Sequence, residues 1–179
     1  MNLLNTKEYK IYSNFLSNLA NDLTKFYFSK LNKTFKVSNK IHGKGYDPVT
    51  TSDKAFEKFI REKIKNKFPS HQVIGEEFGH KKTSSDYTWV IDPIDGTSCF
   101  LNGLSSWCVS IAFVVKDQIE IGLIYAPCTD ELFASQSGTG ATLNGKPMKP
   151  SKATSLADGI VGMGYSPKSS IVATQKAFD

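Results

Sequence analysis

Apolar residues recur every three or four positions in two parts of the chain, which predicts two amphipathic helices near its start. The first helix is predicted over residues 5–31. Its apolar stripe consists of Ile11, Phe15, Leu16, Leu19, Leu23, Phe26 and Tyr27. The second helix follows Ser52 and Asp53, which offer N-cap chemistry, and it ends before Pro69. Its apolar face consists of Phe56, Ile60, Ile64 and Phe68. Between the helices, residues 38–46 are polar and rich in glycine, which is typical of a mobile loop.

From residue 73 onward the apolar runs become short and turn-forming residues separate them, which is typical of β-strands. The runs are Val73–Ile74, Trp89–Ile91, Trp107–Val115, Ile119–Tyr125, Leu132–Ala134 and Ala141–Leu143. Lys116–Gln118 predicts a tight hairpin turn, and Asn144-Gly145 is a pair preferred in type I′ turns. Helices first and antiparallel strands afterwards favour an α+β fold built in layers.

The composition is that of an ordinary globular protein, with 179 residues, 40% of them hydrophobic and 22% charged. The net charge is +5, but the lysines mostly alternate with acidic or polar residues and no aromatic residues interleave with them. We therefore expect solvated basic faces and no nucleic-acid polymer as a partner. No apolar run approaches the roughly 18 residues of a membrane span, and the N-terminus lacks the apolar centre of a signal sequence. These features predict a cytoplasmic protein without a membrane partner.

The cysteines and histidines do not form a recognisable site. Cys99, Cys108 and Cys128 are odd in number and no two of them form C-x-x-C, so we expect reduced thiols in the core. The three histidines are expected to stand in polar loops without a partner at a suitable spacing, and therefore to have no catalytic role. They are His42, His71 and His80.

The strongest chemical signal is the hexapeptide DPIDGT at residues 92–97, which follows the apolar run that ends at Ile91. Asp92 and Asp95 lie three residues apart across a predicted turn and can direct two carboxylates at one point. Mg²⁺ prefers such oxygen ligands and often shares them with a phosphate group. Ile94 could contribute only its backbone carbonyl. The motif therefore predicts a divalent-cation site at the end of a strand.

The glycine and threonine of the same hexapeptide predict an anion site beside the cations. If Gly96 and Thr97 open a short helix, they present free N–H groups and the positive end of a helix dipole. Cations beside such a cradle suggest phosphate chemistry. The alternative is that Asp92 and Asp95 are only turn formers, since Asp, Pro and Gly are common where a strand reverses.

Three elements of the chain together resemble the signature of the inositol monophosphatase family. Residues 92–100 are similar to its D-P-x-D-G-T-x-x-F motif, residues 75–77 to its Gly-Glu-Glu motif, and residues 47–53 to its V-T-x-x-D element. The resemblance implies a pair of helices layered on a large, mostly antiparallel sheet. It further implies a Mg²⁺-dependent, lithium-sensitive phosphatase that is a homodimer when full length.

The resemblance also assigns the metal ligands. Glu76, Asp92 and the carbonyl of Ile94 would hold a first Mg²⁺, and Asp92 would bridge to a second ion that Asp95 also binds. Glu76 would in addition reach a loosely held third ion. Glu77 is expected to face solvent, because adjacent strand residues point to opposite faces of a sheet.

The remaining roles concern the attacking water and the phosphate. The hydroxyl of Thr97 can accept from a water and donate to a carboxylate, which is the relay that a weak nucleophile requires. The resemblance pairs Thr97 with Asp53 and counts Glu76 among the catalytic residues, whereas the alternative for Asp53 is a plain helix cap. It also implies that Asp95, Gly96 and Thr97 contact the substrate phosphate.

The chain is shorter than the family pattern. We expect residues 1–150 to form a metal-dependent phosphatase N-terminal domain and residues 151–179 to begin a truncated second α/β domain. The family's W-D-x-A-A-G motif, whose Asp completes the second metal site, does not occur in the 179 residues. Two classes of function therefore stay open. One is hydrolysis of a small phosphate monoester by an inositol-1-monophosphatase, histidinol-phosphatase or 3′(2′),5′-bisphosphate nucleotidase of this family, and the other is a non-catalytic remnant.

Overall fold

The structure is a computed structural model of the chain. It describes residues 3–31, 36–40, 48–81, 83–160 and 171–176. The predicted loop from residue 41 to residue 46, with His42, lies outside the described residues, as does Asp47 at the start of the third sequence element.

Helix α1, Thr6–Phe26, confirms the first predicted helix and continues into one π-helical turn, Tyr27–Leu31. Asn5 caps it by accepting from the N–H of Lys7 and of Glu8, each at 3.0 Å. The buried face consists of Tyr9, Tyr12, Leu16, Leu19, Ala20 and Leu23. Ile11 is 42% exposed, so its assignment to the apolar stripe was wrong. Two tyrosines form the first part of that face instead.

Helix α2, Thr51–Lys67, confirms the second predicted helix but begins differently from the prediction. Thr50 is the N-cap, and its hydroxyl accepts from the N–H of Ser52 at 3.0 Å and of Asp53 at 3.3 Å. The Asp53 carboxylate in turn accepts from the Thr50 N–H at 2.7 Å, which completes a capping box. Ser52 and Asp53 are therefore the second and third residues of the helix, and the cap precedes them.

The strands form one large sheet and one small one. Strands β1 (Val37–Asn39) and β2 (Pro48–Thr50) pair with each other. The large sheet consists of β3 (Gln72–Gly75), β4 (Gly79–Lys81), β5 (Tyr87–Asp95), β6 (Cys108–Val115), β7 (Gln118–Ala126), β8 (Glu131–Gln136), β9 (Gly140–Leu143) and β10 (Lys146–Pro147). Its order is β10-β9-β8-β7-β6-β5-β3-β4, and every neighbouring pair is antiparallel except β3 with β5. The α+β fold with a mostly antiparallel sheet is confirmed.

All six predicted strands occur, and four further strands were missed because they are two or three residues long and carry few apolar residues. These are β1, β2, β4 and β10. Ser38 and Asn39 were expected in a loop but pair with Val49 and Pro48 in the small sheet. The predicted type I′ turn is supported by positive φ angles at both of its central residues, 49° at Asn144 and 76° at Gly145.

The core lies between the two long helices and one face of the large sheet. Every second residue of β6 is buried against the helices, from Val109 to Val115. Strand β7 carries a bulge, because Phe113 pairs with Ile121 and Val114 with Ile119. The extra residue, Glu120, is only 1% exposed. It accepts from the Leu3 N–H at 3.0 Å and from the Tyr9 hydroxyl, which attaches the start of α1 to the sheet.

His71 belongs to an aromatic cluster and does not stand in a polar loop as expected. Its ring stacks on Phe68 and Tyr87, with centroids 4.8 Å and 4.9 Å away, and its Nδ1 accepts from the Trp89 indole N–H at 3.1 Å. Burial lowers the pKa of His71 from its ordinary value to about 4. A neutral imidazole that fills the edge of the core is therefore a packing residue.

The last part of the chain carries little regular structure among its described residues. It contains a 3₁₀ turn, Leu156–Asp158, and a short helix α4, Ile171–Lys176. The division of the chain at residues 150 and 151 stays a prediction. None of the helices in the described ranges has the length and apolar character needed to cross a bilayer.

Candidate metal and phosphate site

The two aspartates of the hexapeptide lie on a bulge inside strand β5, where a turn had been predicted. Asp92 pairs with Ser110 and Asp95 with Cys108, so one more residue separates the pairs on β5 than on β6. Side chains three apart on a regular strand point to opposite faces, and one extra residue returns them to the same face. Pro93 is tolerated in the strand because it sits at this irregularity.

The carboxylate of Asp92 is strongly disfavoured as an isolated anion. Its Oδ1 is the one buried side-chain oxygen or nitrogen without a hydrogen-bond partner in the described parts of the chain. The pKa of Asp92 is raised to about 7, first by burial and then by the negative charges of Glu76 and Asp95. A cation at this point would relieve the repulsion and give the unpartnered oxygen a ligand.

Thr97 joins the hexapeptide to helix α2. Its hydroxyl lies 3.2 Å from Asp53 Oδ1 and 3.1 Å from the carbonyl oxygen of Ile94. The Ile94 side chain is 1% exposed, so its carbonyl is the only group it offers to the site. Asp53 is also 1% exposed, and its other oxygen is occupied by Thr50. Asp53 is therefore a helix-capping residue and a partner of Thr97 at once, so the two alternatives are not exclusive.

Gly96 makes the sharp change from strand to helix. Its φ angle is +90°, and a Cβ added to it would lie 2.9 Å from the Ser106 carbonyl oxygen and 3.3 Å from Trp107. It precedes the short helix α3, Thr97–Leu101, as expected. The N–H groups of Cys99 and Phe100 donate to the Gly96 carbonyl at 2.8 Å and 3.0 Å, so those of Thr97 and Ser98 are the ones that the helix start leaves available to an anion.

The two glutamates of the second motif lie in the turn that joins β3 to β4. The parallel register pairs Gly75 with Ile91, so Glu76 follows beside Asp92. The Glu76 side chain is 43% exposed, whereas that of Glu77 is only 3% exposed. The expected exposure of Glu77 was wrong, because strand β3 ends at Gly75 and its alternation does not continue into the turn.

Lys40 is the cation that both glutamates contact. Its Nζ donates to Glu76 Oε1 and to Glu77 Oε1, each at 2.6 Å. Burial lowers the pKa of Lys40, but these two hydrogen bonds outweigh it and leave the pKa above its ordinary value. At Glu77, burial dominates and raises the pKa in spite of Lys40. The ammonium group lies between the two carboxylates. The sequence did not indicate this contact, because Lys40 lies in a segment whose composition predicts a loop.

Two charged residues of α2, neither of them among the predicted site residues, also bind the turn. Glu57 accepts from the N–H of Glu77 at 2.6 Å and of Phe78 at 3.1 Å, and Arg61 donates to Glu57 at 2.8 Å. The signal was present in the sequence, since Asp53, Glu57 and Arg61 are spaced by four and share one face of the helix.

The donor set fits a hard divalent cation, although it is not assembled into a finished site. The residues that would hold it are Glu76, Asp92, the Ile94 carbonyl and Asp95. Within the described ranges, no three Asp, Glu, His or Cys side chains are gathered closely enough to hold a metal ion as they stand. Glu76 is paired with Lys40 and also interacts with Asp92, so a cation bound here would take the place of Lys40 at the Glu76 carboxylate.

Two of the cysteines lie near this site or at the surface. The thiol of Cys108 lies 3.9 Å from Asp95 Oδ2, and burial, followed by the charges of Asp95 and Asp92, raises its pKa to about 11. It therefore stays protonated. Cys128 is exposed, so its expected place in the core was wrong, while Cys99 packs against the core.

Comparison with known proteins agrees with the three sequence elements. The sequence model of the inositol monophosphatase family matches residues 11–178. Inositol monophosphatase 3 of Solanum lycopersicum is 40% identical over 131 residues, which cover 71% of this chain and 49% of the relative. Nus factor SuhB of Escherichia coli strain K12 is 40% identical over 129 residues, 72% of this chain and 48% of the relative.

A solved structure shows the same fold. The suppressor protein SuhB of Bartonella henselae superposes with a TM-score of 0.69 at 29% identity, over 80% of this chain and 55% of that protein. The chain thus spans about half the length of the curated relatives that it matches. Because the family model matches residues 11–178, almost the whole of this chain, the chain belongs to the inositol monophosphatase family.

Proposed function

We propose that this chain supplies the metal-binding half of a Mg²⁺-dependent hydrolase of small phosphate monoesters. The observation that carries the proposal is the position of the Thr97 hydroxyl, which contacts both Asp53 Oδ1 and the Ile94 carbonyl beside the aspartate pair of the β5 bulge. A hydroxyl with a carboxylate behind it, next to the unpartnered Asp92 Oδ1, suits the activation of a water against a phosphate.

In this proposal Glu76, Asp92, Asp95 and the Ile94 carbonyl hold the divalent cations. Bound cations of this kind neutralise phosphate charge, lower the pKa of a water and stabilise a leaving oxygen. Burial raises the pKa of Asp92 and so disfavours its charged form, and a bound cation would stabilise that charge.

The chain's own residues orient the water and the phosphate. Thr97 Oγ1 accepts a hydrogen bond from the attacking water and passes its own proton toward Asp53 Oδ1. Asp53 keeps its orientation because Thr50 occupies its other oxygen. The free N–H groups after Gly96 receive the phosphate oxygens. Thr97 and Asp53 thus bind the attacking water, and the backbone N–H groups bind the phosphate that it attacks.

Inositol monophosphate is the substrate that the names of several relatives suggest, and it is our first choice for this chain. Histidinol phosphate and a nucleoside bisphosphate remain the alternatives within the family. The matched part of this chain covers about half of each relative, so a complete active site is expected only in a form that includes the remaining half. The homodimeric state of that form and its cytoplasmic location are predictions.

Titration with Mn²⁺, followed by electron paramagnetic resonance, tests the cation site directly. The wild-type chain should bind Mn²⁺, and Asp92→Asn should bind it at least about tenfold more weakly, because a ligand and its charge are lost. Asp117→Asn is the matched control, since it removes an exposed carboxylate from the distant β6–β7 hairpin turn and should leave the affinity unchanged. Equal binding by wild type and Asp92→Asn would remove the proposed site.

Phosphatase assays test the catalytic part of the proposal. The 179-residue chain should hydrolyse inositol 1-phosphate slowly or not at all, and a form extended to the length of its relatives should be Mg²⁺-dependent and lithium-sensitive. Full turnover by the 179-residue chain would show that no further half is needed. No turnover by the extended form, with Mn²⁺ binding intact, would favour a non-catalytic family member.

A further inference from the structure

We infer that Glu57, fixed by Arg61, is a positioning residue for the two-glutamate turn, residues 76–78: it holds the backbone of the turn so that Glu76 is presented beside Asp92. The inference rests on the proposed metal function and adds a residue of α2 that touches no proposed ligand through its own side chain. Five contacts carry it, and each involves a backbone atom of the hairpin or the Glu57–Arg61 pair itself.

The carboxylate of Glu57 is fully buried and fully used. Its exposed fraction is 0%, and a buried carboxylate requires several donors to remain charged. Glu57 Oε2 accepts from the Glu77 N–H at 2.6 Å, while Oε1 accepts from the Phe78 N–H at 3.1 Å and from Arg61 Nε at 2.8 Å. Two of the three donors are backbone groups of the turn, so the carboxylate acts as a template for its conformation.

Arg61 contacts two backbone carbonyl groups of the same hairpin. Its Nη1 lies 3.5 Å from the Val73 carbonyl oxygen on β3, and its Nη2 donates to the Gly79 carbonyl oxygen on β4. The rigid guanidinium group therefore contacts the backbone of both strands, while Glu57 binds the turn between them. Since both residues lie one helical turn apart on α2, the hairpin takes its position from the helix.

The carboxylate of Glu57 lies very close to the backbone of Gly75. A Cβ added to Gly75 would lie 2.2 Å from Glu57 Oε1, which is inside any allowed contact distance. The φ angle of Gly75 is not in the left-handed region, so its backbone conformation alone does not demand glycine. Glycine is required at the first position of the Gly-Glu-Glu motif because Glu57 fills the space where a side chain would stand.

The arrangement fixes the backbone of Glu76 while leaving its side chain free to move. Glu76 is 43% exposed and follows Gly75, which pairs with Ile91 directly before Asp92. Its carboxylate contacts Lys40 and interacts with Asp92, so it can exchange Lys40 for a cation without any movement of the turn. A loosened turn would spread these positions and weaken cation binding before it affected the core.

The first test compares two buried glutamates. Glu57→Gln keeps the size of the side chain but sets amide hydrogens against a backbone N–H, and we expect Mn²⁺ affinity to fall about tenfold or more, as for other residues that support a metal ligand. Glu120→Gln is the control. Glu120 is also buried and also accepts from a backbone N–H, but near the start of α1. The Glu120→Gln variant should therefore bind Mn²⁺ with an affinity within twofold of the wild type.

The amide protons of Glu77 and Phe78 give a readout that needs no metal. An N–H that donates to a carboxylate resonates at unusually low field, so both signals should move upfield in Glu57→Gln and stay in place in Glu120→Gln. Equal losses of Mn²⁺ affinity in the two variants, or unchanged affinity and amide signals in Glu57→Gln, would show that Glu57 is merely structural.

A second pair of variants covers the case in which Glu57→Gln does not fold. Gly75→Ala should weaken Mn²⁺ binding to a similar degree, because its Cβ displaces the Glu57 carboxylate. In a Glu57→Ala background the same Gly75→Ala change should have no further effect, since the obstructing carboxylate is gone. An equal effect of Gly75→Ala in both backgrounds would overturn the inference.

The two proposals fail in different ways. A wild-type chain that shows no Asp92-dependent Mn²⁺ binding would overturn the proposed function and this inference with it. Asp92-dependent binding that is insensitive to Glu57 would overturn the inference alone.

Discussion

Thr97 and Asp53 stand 44 residues apart in the chain, yet Thr97 Oγ1 lies 3.2 Å from Asp53 Oδ1. The contact joins the bulged strand to the first turn of α2, and Asp53 is 1% exposed. Loss of the hydroxyl would leave a buried carboxylate oxygen without its donor, which is more costly than removal of an exposed hydrogen bond.

Thr97→Val should therefore lower the free energy of unfolding by about 1–3 kcal/mol, and Thr97→Ser by less than about 1 kcal/mol, as measured by urea denaturation. Asp53→Asn should also destabilise, and the double mutant should cost less than the sum of the two. In an extended, active form Thr97→Val should lower kcat roughly 10²–10⁴-fold with little change in KM. If the losses of rate multiplied in the Thr97→Val Asp53→Asn enzyme, Asp53 would act only as a helix cap.

Lys40→Met should destabilise the metal-free chain and increase its response to metal. Glu77, 3% exposed, loses its cation, which should cost about 1–3 kcal/mol, less than a fully buried pair because Lys40 is 27% exposed. Mn²⁺ can supply the missing charge, so it should raise the melting temperature of Lys40→Met more than that of the wild type. Lys36→Met, an exposed change in the same segment, should behave as the wild type in both measurements.

Gly96→Ala should be more destabilising than Gly140→Ala. The two glycines have nearly the same φ angle, +90° and +89°, so each substitution introduces the same backbone strain. Only at Gly96 would the new Cβ meet backbone, 2.9 Å from the Ser106 carbonyl oxygen. We expect a loss of about 1 kcal/mol at Gly140 and about 2–4 kcal/mol at Gly96 by urea denaturation. Equal losses would show that residues 106 and 107 move away from the new Cβ at little cost in free energy.

The buried His71 predicts a loss of stability in mild acid. Its pKa is lowered from 6.5 to about 4 in the folded chain, so the unfolded chain binds the proton first. The stability that this group contributes is present above pH 6.5 and is lost as the pH falls toward 4. His71→Phe keeps a ring in the stack without a titrating nitrogen, and its melting temperature should fall less between pH 7 and pH 4. Parallel curves for the two proteins would exclude His71 as the cause.

Much of the fold follows from local patterns in the sequence. The spacing of apolar residues predicted both long helices and six strands, because each element buries one face in a single core. The prediction failed where burial was set by irregular backbone. The bulge at Glu120 buries a glutamate next to an exposed Ile119, and no alternation of polar and apolar residues announces it.

The sequence indicated the residues of the candidate site but not the contacts that hold them in place. Asp92, Asp95, Gly96 and Thr97 could be named because their motif is local. The partner of Thr97 came only through the family resemblance, and Lys40 was missed. Contacts between segments distant in sequence depend on strand register, such as Gly75 with Ile91, which a single sequence does not reveal.

Helix α2 carries Asp53, Glu57 and Arg61 at intervals of four residues, so it sets the distance between the proposed water relay and the two-glutamate turn. Each interval advances about 6 Å along the axis and keeps the side chains on one face. A single residue inserted between Asp53 and Glu57 would rotate Glu57 about 100° away from the turn while leaving Thr97 with its partner. The segment therefore tolerates substitutions on its solvent side but no change in length.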